Sequence, residues 1–143
     1  MIKIAIVDDH TVVRSGLRAY LESQPDLQVV GEGANGRDAL ALVKSQDVDV
    51  LLMDLCMPGQ NGMDALAEVL MRRPEVRVLI LSGYPESLYA LNLLEQGAWG
   101  FLNKTCEPEE ITAAVRTIAA GRLFLPPGVR RRQRTGESAS RSL

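Results

Sequence analysis

The sequence has few of the residues on which zinc modules, disulfide-rich domains and aromatic-rich binding surfaces depend. Its 143 residues include one histidine, two cysteines and one tryptophan, and aromatic residues make up only 4%. Cys56 and Cys106 form no CxxC pair, and the lone His10 completes no zinc-ligand set. The two cysteines are most simply interpreted as reduced thiols of a cytoplasmic protein.

Long apolar segments are also missing. No run approaches the ~20 residues that a membrane-spanning helix needs, and the opening MIKIAIVDDH has no basic leader followed by a long apolar segment. We therefore expect neither a signal peptide nor a membrane anchor. The length and a hydrophobic content of 46% are typical of one soluble domain with a single full core.

The charges are unevenly distributed along the chain. Residues 1–120 contain 10 Lys+Arg and 17 Asp+Glu, a net charge of −7, whereas residues 121–143 contain six Arg and one Glu, a net charge of +5. We interpret residues 1–122 as the folded domain and residues 123–143, rich in Arg, Ser and Gly, as a disordered basic linker or tail. An arm that contacts DNA phosphates is the alternative for this tail.

Short apolar runs alternate with segments of helical periodicity. Five runs have the composition of strands, namely Ile2–Val7, Leu27–Glu32, Val48–Asp54, Val76–Leu81 and Trp99–Asn103. Each is followed by apolar residues at helical spacing, such as Leu88, Leu91 and Leu94 in the fourth segment. This alternation predicts a doubly wound (βα)5 α/β fold with a parallel sheet. The shorter second and fifth strands are expected at the edges, which gives the flavodoxin-like order 2-1-3-4-5.

Four of these predicted strands end in polar or charged groups, namely Asp8-Asp9, Asp54, Ser82 and Lys104. The carboxyl ends of parallel strands share one edge of the sheet, where open α/β sheets bind ligands. Each residue also has a purely structural explanation: a helix cap, a strand end, a turn or a solvated charge. One shared site explains all four strand ends together.

Such a cluster of carboxylates needs a positive partner. Three carboxylates a few Å apart repel by about 4 kcal/mol per close pair at an effective dielectric near 20, and Lys104 offsets only part of that repulsion. An all-oxygen site beside the Pro58–Gly62 loop suits Mg²⁺ with several retained waters. A metal ion, a lysine, a hydroxyl and a nucleophilic carboxylate are also the groups that phosphoryl transfer needs.

Over residues 1 to about 122, the chain resembles the receiver domain of bacterial two-component response regulators. The matching motifs are Asp8-Asp9, the DxxMP sequence beginning at Asp54, Ser82-Gly83 and Lys104. The stretches IAIVDDHTVVRSGL, GAWGFLNK and TIAAGRLFLPP resemble the NarL/FixJ (LuxR-type) subfamily.

The resemblance implies a signalling switch and not an enzyme in the usual sense. Asp54 would accept a phosphoryl group from a sensor histidine kinase and lose it slowly, while Ser82 and Lys104 would bind the phosphoryl oxygens. The Mg²⁺ ligands that the resemblance implies are Asp8, Asp9, Asp54 and the backbone carbonyl of Cys56. Phe101 matches the family's aromatic switch position, with an ordinary core aromatic as the alternative.

The implied output is control of transcription. Regulators of this subfamily usually carry a carboxyl-terminal helix-turn-helix, for which this chain, ending at Leu143, has no room. We therefore expect DNA binding only through an output domain outside the chain, and a homodimer is compatible with the family. Phosphorylation is expected to draw Ser82 toward the phosphoryl group, so that Phe101 fills the vacated space.

The sequence departs from the family's common pattern in three places. Thr105 follows Lys104 where many receivers have proline, and a cis bond there would cost about 2.5–4 kcal/mol. Ser82 replaces the commoner threonine, and Phe101 lacks the hydroxyl of the usual tyrosine.

Three other functions stay open. A degenerate receiver would act only as a binding module. An aspartyl-phosphate phosphatase of the haloacid dehalogenase type would need a DxD motif where this chain has adjacent Asp8-Asp9. A flavin carrier would need a Ser/Thr/Gly-rich phosphate loop in the same place, and Asp8-Asp9-His10 would repel a phosphate.

Overall fold

The computed structural model describes residues 1–57, 60–83 and 92–125, and only the backbone of residues 56, 57 and 60–62. The predicted loop residues Pro58 and Gly59, the predicted helical residues Leu88 and Leu91, and the predicted tail from residue 126 onward lie outside the described residues.

Strands and helices alternate along the described chain. The strands are β1 (Ile2–Val7), β2 (Leu27–Gly33), β3 (Val50–Asp54), β4 (Cys56–Met57), β5 (Gln60–Asn61), β6 (Arg77–Ser82) and β7 (Gly100–Asn103). The helices are α1 (Thr11–Glu22), α2 (Gly36–Ser45), α3 (Gly62–Arg72), α4 (described over residues 92–95) and α5 (Pro108–Ala119). No described helix is both long enough and apolar enough to span a bilayer.

Five strands form one parallel sheet in the order β2-β1-β3-β6-β7. The two-residue strands β4 and β5 pair with each other separately, in antiparallel fashion. When the strands of the main sheet alone are counted, the order is 2-1-3-4-5. The predicted flavodoxin-like fold is confirmed, with the second and fifth of these strands at the edges.

The sheet has a core on each face. The side chains of α2, α3 and α4 pack on one face, and those of α1 and α5 pack on the other. The central strand β3 is buried along its whole length, as expected for a strand covered by helices on both sides. Local signals define two helix starts, since the Asn35 side chain accepts a 2.9 Å hydrogen bond from Asp38 N and Pro108 lies in the first turn of α5.

The chain returns to the sheet after α5. Phe124 N donates a 2.9 Å hydrogen bond to the Trp99 carbonyl, and Phe124 forms a parallel bridge with Gly100 at the edge of β7. Leu125 is buried in the core on the α2–α4 face. Three residues beyond the boundary expected from composition therefore pack against the sheet.

This return segment requires a glycine on β7. A Cβ at Gly100 would lie 2.8 Å from Leu79 Cδ1 and 3.1 Å from the backbone oxygen of Phe124. We expect Gly100→Ala to push Phe124 away from β7 and to lower the free energy of unfolding by about 1–3 kcal/mol. The measurements are urea unfolding and hydrogen exchange at the Phe124 amide.

Gly16→Ala is the matched control for that substitution. A Cβ at Gly16, on the exposed side of α1, would meet no heavy atom within 4 Å. Alanine is therefore expected to stabilise the protein by about 0.5–1 kcal/mol. The close approach of Phe124 to Gly100 would be refuted if both alanine variants gained stability or if exchange at Phe124 did not change.

Candidate functional site

The carboxyl edge of the sheet gathers charged residues from three strands. Asp8 and Asp9 directly follow β1, Asp54 is the last residue of β3, and Lys104 directly follows β7. The register of β1 and β3 places Val7 beside Met53. The next residues, Asp8 and Asp54, therefore reach the same part of the edge.

Lys104 lies between two buried carboxylates. Its Nζ donates a 3.0 Å hydrogen bond to Asp54 Oδ2 and lies 3.1 Å from Asp8 Oδ2. Asp8 and Asp54 are only 1% and 2% exposed. Burying two like charges together is costly unless a partner compensates them, and Lys104 is that partner in this arrangement.

His10 joins the same group. Its Nδ1 lies 2.9 Å from Asp8 Oδ1, 3.2 Å from Asp9 Oδ1 and 3.2 Å from Lys104 Nζ. The backbone N of His10 also donates a 2.8 Å hydrogen bond to Asp8 Oδ1. In the sequence this histidine completes no zinc-ligand set, because it is the only histidine and the two cysteines lie far from it. Its position directly after Asp8-Asp9 was the available signal.

Arg14 is a second residue that the sequence did not single out. Its guanidinium donates from Nη1 to the Asp8 carbonyl and from Nε to Glu32 Oε1 at 3.0 Å. The first turns of α1 are thereby attached both to the end of β1 and to β2. This anchoring fixes the backbone that carries Asp8 and Asp9.

The opposite charges of Asp8 and Lys104 stabilise the ionised form of each other. Burial raises the pKa of Asp8, but the hydrogen bond from the His10 backbone, the neighbouring Lys104 ammonium and the contact with the His10 imidazole outweigh burial, so the pKa lies below its ordinary value. Burial lowers the pKa of Lys104, but its hydrogen bond to Asp54 and its ion pair with Asp8 outweigh burial and raise the pKa. At neutral pH Asp8 is therefore ionised and Lys104 protonated.

The residues present fit a divalent cation. Ligand atoms of Asp8, Asp9, His10 and Asp54 all lie within 4.8 Å of one another. The buried Oδ2 of Asp8 forms an ion pair with Lys104 Nζ but accepts no hydrogen bond from the described residues, and a buried carboxylate oxygen usually accepts at least one. Carboxylate oxygens are the ligands that Mg²⁺ takes in proteins. This acidic pocket therefore fits Mg²⁺.

The structure also locates the three remaining predicted site residues, Ser82, Phe101 and Cys56. Ser82 ends β6 and is buried, and its carbonyl accepts a 2.8 Å hydrogen bond from Lys104 N. Phe101 is buried in the core on the α2–α4 face. The backbone of Cys56 lies in β4, two residues after Asp54. No peptide bond in the described residues is cis, so the bond between Lys104 and Thr105 is trans.

Known proteins with similar sequences point to the same kind of domain. Residues 4–116 match the family model of the response regulator receiver domain. The chain is 37% identical over 128 residues to the transcriptional regulatory protein DegU of Brevibacillus brevis, covering 90% of this chain and 54% of DegU. It is 39% identical over 130 residues to the transcriptional regulatory protein UhpA of Salmonella typhimurium, covering 90% of this chain and 64% of UhpA.

A solved structure shows the same likeness. The crystal structure of a two-component response regulator of the LuxR family from Aurantimonas sp. SI85-9A1 aligns with a TM-score of 0.85 and 33% identity, covering 93% of this chain and 97% of that one. The chain spans only about half to two thirds of the length of the two curated relatives. The chain belongs to the response regulator receiver domain family, with relatives of the NarL/FixJ (LuxR) type.

Proposed function

We propose that this chain is the phosphoacceptor switch of a two-component system, in which Asp54 accepts a phosphoryl group from a sensor histidine kinase. The contact that best supports this role is the 3.0 Å hydrogen bond from Lys104 Nζ to Asp54 Oδ2. It places a fixed positive charge where the phosphoryl oxygens would arrive. Phosphoryl transfer depends mainly on such positioning and charge compensation.

Each member of the pocket has a role in this reaction. An oxygen of Asp54 attacks phosphorus in line, and the bond from phosphorus to the kinase's imidazole nitrogen breaks. Lys104 and the Ser82 hydroxyl bind the phosphoryl oxygens. Asp8, Asp9, Asp54 and the Cys56 carbonyl are the groups that would hold Mg²⁺. A bound Mg²⁺ would neutralise charge on the transferred phosphoryl group.

The readout of phosphorylation follows from the change in charge. A phosphoryl group adds about −1.5 to −2 charge and three acceptor oxygens, so Lys104 turns from Asp8 and Asp54 toward it. Ser82 moves in the same direction, and Phe101 repacks. The altered face comprises α4, β7 and α5, and any catalysis is limited to the domain's own phosphorylation and slow dephosphorylation.

We further propose that the folded domain extends through Leu125 and that the residues beyond it connect to an output domain. DegU and UhpA are transcriptional regulators that extend well beyond the matched region. Control of transcription through such an output domain, and homodimer formation in the phosphorylated state, are the outcomes we propose for the whole regulator.

Intact mass spectrometry after incubation with acetyl phosphate tests the proposed phosphoacceptor. We expect one phosphoryl adduct, stable in acid and labile in base, that requires both Mg²⁺ and Asp54. Asp54→Asn should abolish the adduct because the amide cannot replace the carboxylate as nucleophile. Asp47→Asn should leave it unchanged, since Asp47 is an exposed carboxylate that pairs with Lys3 outside the pocket.

Two results would contradict the proposal. An adduct that persists in Asp54→Asn would show that another residue is the nucleophile. Failure of the unmodified chain to form any adduct, although it binds Mg²⁺, would favour a degenerate receiver that acts as a binding module.

A further inference from the structure

We propose that His10 is a nitrogen ligand of the cation site and thereby strengthens the binding of transition-metal ions such as Ni²⁺. The inference rests on the cation site of the proposed function and adds a ligand of different chemistry. An all-carboxylate site offers only oxygen, whereas an imidazole nitrogen favours transition metals.

The donor-atom distances support coordination of one ion. An octahedral ion with bonds of about 2.0–2.1 Å places neighbouring ligand atoms about 3 Å apart and opposite ones about 4.2 Å apart. His10 Nδ1 lies 2.9 Å from Asp8 Oδ1 and 3.2 Å from Asp9 Oδ1, as neighbouring ligands would. It lies 4.0 Å from Asp54 Oδ2, close to the separation of opposite ligands.

The backbone holds the imidazole in this position. His10 N donates a hydrogen bond to Asp8 Oδ1, and the His10 carbonyl accepts a 2.9 Å hydrogen bond from Arg14 N at the start of α1. The residue is thus fixed on both sides of its Cα. Its side chain is 59% exposed, so an ion bound to Nδ1 can also keep water ligands.

The Lys104 ammonium already places a positive charge among Asp8, Asp54 and His10. Its Nζ lies 3.0 Å from Asp54 Oδ2, 3.1 Å from Asp8 Oδ2 and 3.2 Å from His10 Nδ1. A compact divalent ion near this position would meet an oxygen of Asp54, an oxygen of Asp8 and the imidazole nitrogen of His10. Lys104 would then shift within the pocket while staying paired with Asp54.

The two classes of ion should respond differently to loss of the imidazole. Mg²⁺ is hard, prefers oxygen and can replace a lost nitrogen ligand with water. Affinity for nitrogen-containing sites rises from Mn²⁺ to Ni²⁺. We expect His10→Gln to weaken Ni²⁺ binding about tenfold or more and to change Mg²⁺ binding by less than about twofold.

Pulsed EPR of the Mn²⁺-loaded chain, purified without a histidine tag, tests the inference directly. The chain contains one histidine, so an imidazole nitrogen coupling to Mn²⁺ can come only from His10. The coupling should be present in the unmodified chain and lost in His10→Gln. Titration calorimetry with Ni²⁺ and with Mg²⁺ should give the two responses described above.

The outcomes separate this inference from the proposed function. Mn²⁺ bound in the pocket without an imidazole coupling, or Ni²⁺ affinity unchanged in His10→Gln, would overturn the role of His10 while Mg²⁺-dependent phosphorylation of Asp54 still stood. Absence of any divalent-ion binding that depends on Asp8 and Asp54 would overturn both. Urea unfolding of His10→Gln checks that the variant remains folded.

Discussion

Replacing Lys104 with methionine is expected to lower the free energy of unfolding by about 3 kcal/mol without divalent ions. Removing one partner from a buried ion pair typically costs about 3–5 kcal/mol because the other charge remains buried and uncompensated. Here the ammonium compensates two carboxylates, Asp8 and Asp54, that are almost fully buried. The side chain of Lys104 is itself 21% exposed, so water relieves part of the penalty and the lower end of that range applies.

Mg²⁺ should restore much of the stability of Lys104→Met. An ion that binds only the folded state stabilises it by about 2.7 kcal/mol at one hundred times its dissociation constant. In this variant the ion no longer competes with the ammonium for Asp8 and Asp54, so its affinity should also rise. The measurement is urea unfolding of the unmodified and variant chains, each with and without Mg²⁺.

Lys3→Met is the matched control for Lys104→Met. Lys3 pairs with the exposed Asp47 at 3.2 Å, and exposed pairs of this kind contribute about 0–1 kcal/mol. The control should therefore lose little stability and respond to Mg²⁺ as the unmodified chain does. Equal destabilisation of the two variants, or equal responses to Mg²⁺, would mean that Lys104 is not the counter-charge of the buried carboxylates.

The strands and the charged residues at their carboxyl ends could be predicted from the sequence, because both depend on the local pattern of each strand. A short apolar run that ends abruptly in Asp54 predicts a buried strand with a carboxylate at the rim, and the structure contains that strand as β3. Because all five strands run parallel, their carboxyl ends meet at one edge. The convergence of Asp8, Asp54 and Lys104 could therefore be inferred without any knowledge of side-chain positions.

The parts that were missed depend on contacts between distant segments. A single histidine gives no spacing pattern from which a site could be predicted. The position of His10 in the pocket becomes visible only in the fold, where Asp54 and Lys104 from other strands lie beside it. The return of Phe124 to β7 likewise depends on a glycine 24 residues earlier in the chain. The composition of the segment after α5 is polar and basic on average, which predicted a linker. The apolar residues at its start, Leu123 to Leu125, nevertheless pack against the sheet.

Replacing Phe101 with alanine is expected to lower the free energy of unfolding by about 3–5 kcal/mol, the usual cost of deleting a buried phenylalanine. The side chain is 1% exposed and packs in the core on the α2–α4 face. On β7 it lies opposite Ile80 of β6. A loss of this size would be measured as a lower urea midpoint, and a loss below about 1 kcal/mol would contradict such tight packing.

A milder variant separates a core role from the proposed switch role. Phe101→Leu is expected to cost less than about 1.5 kcal/mol and to leave the Asp54 pocket able to accept a phosphoryl group. If Phe101 repacks on phosphorylation, the phosphorylation-dependent amide shifts across β7 and α5 should shrink in this variant. Leu52→Val, a change in the core on the α1–α5 face, should preserve them. Shifts of unmodified size in Phe101→Leu would mean that Phe101 is a core residue alone and takes no part in the switch.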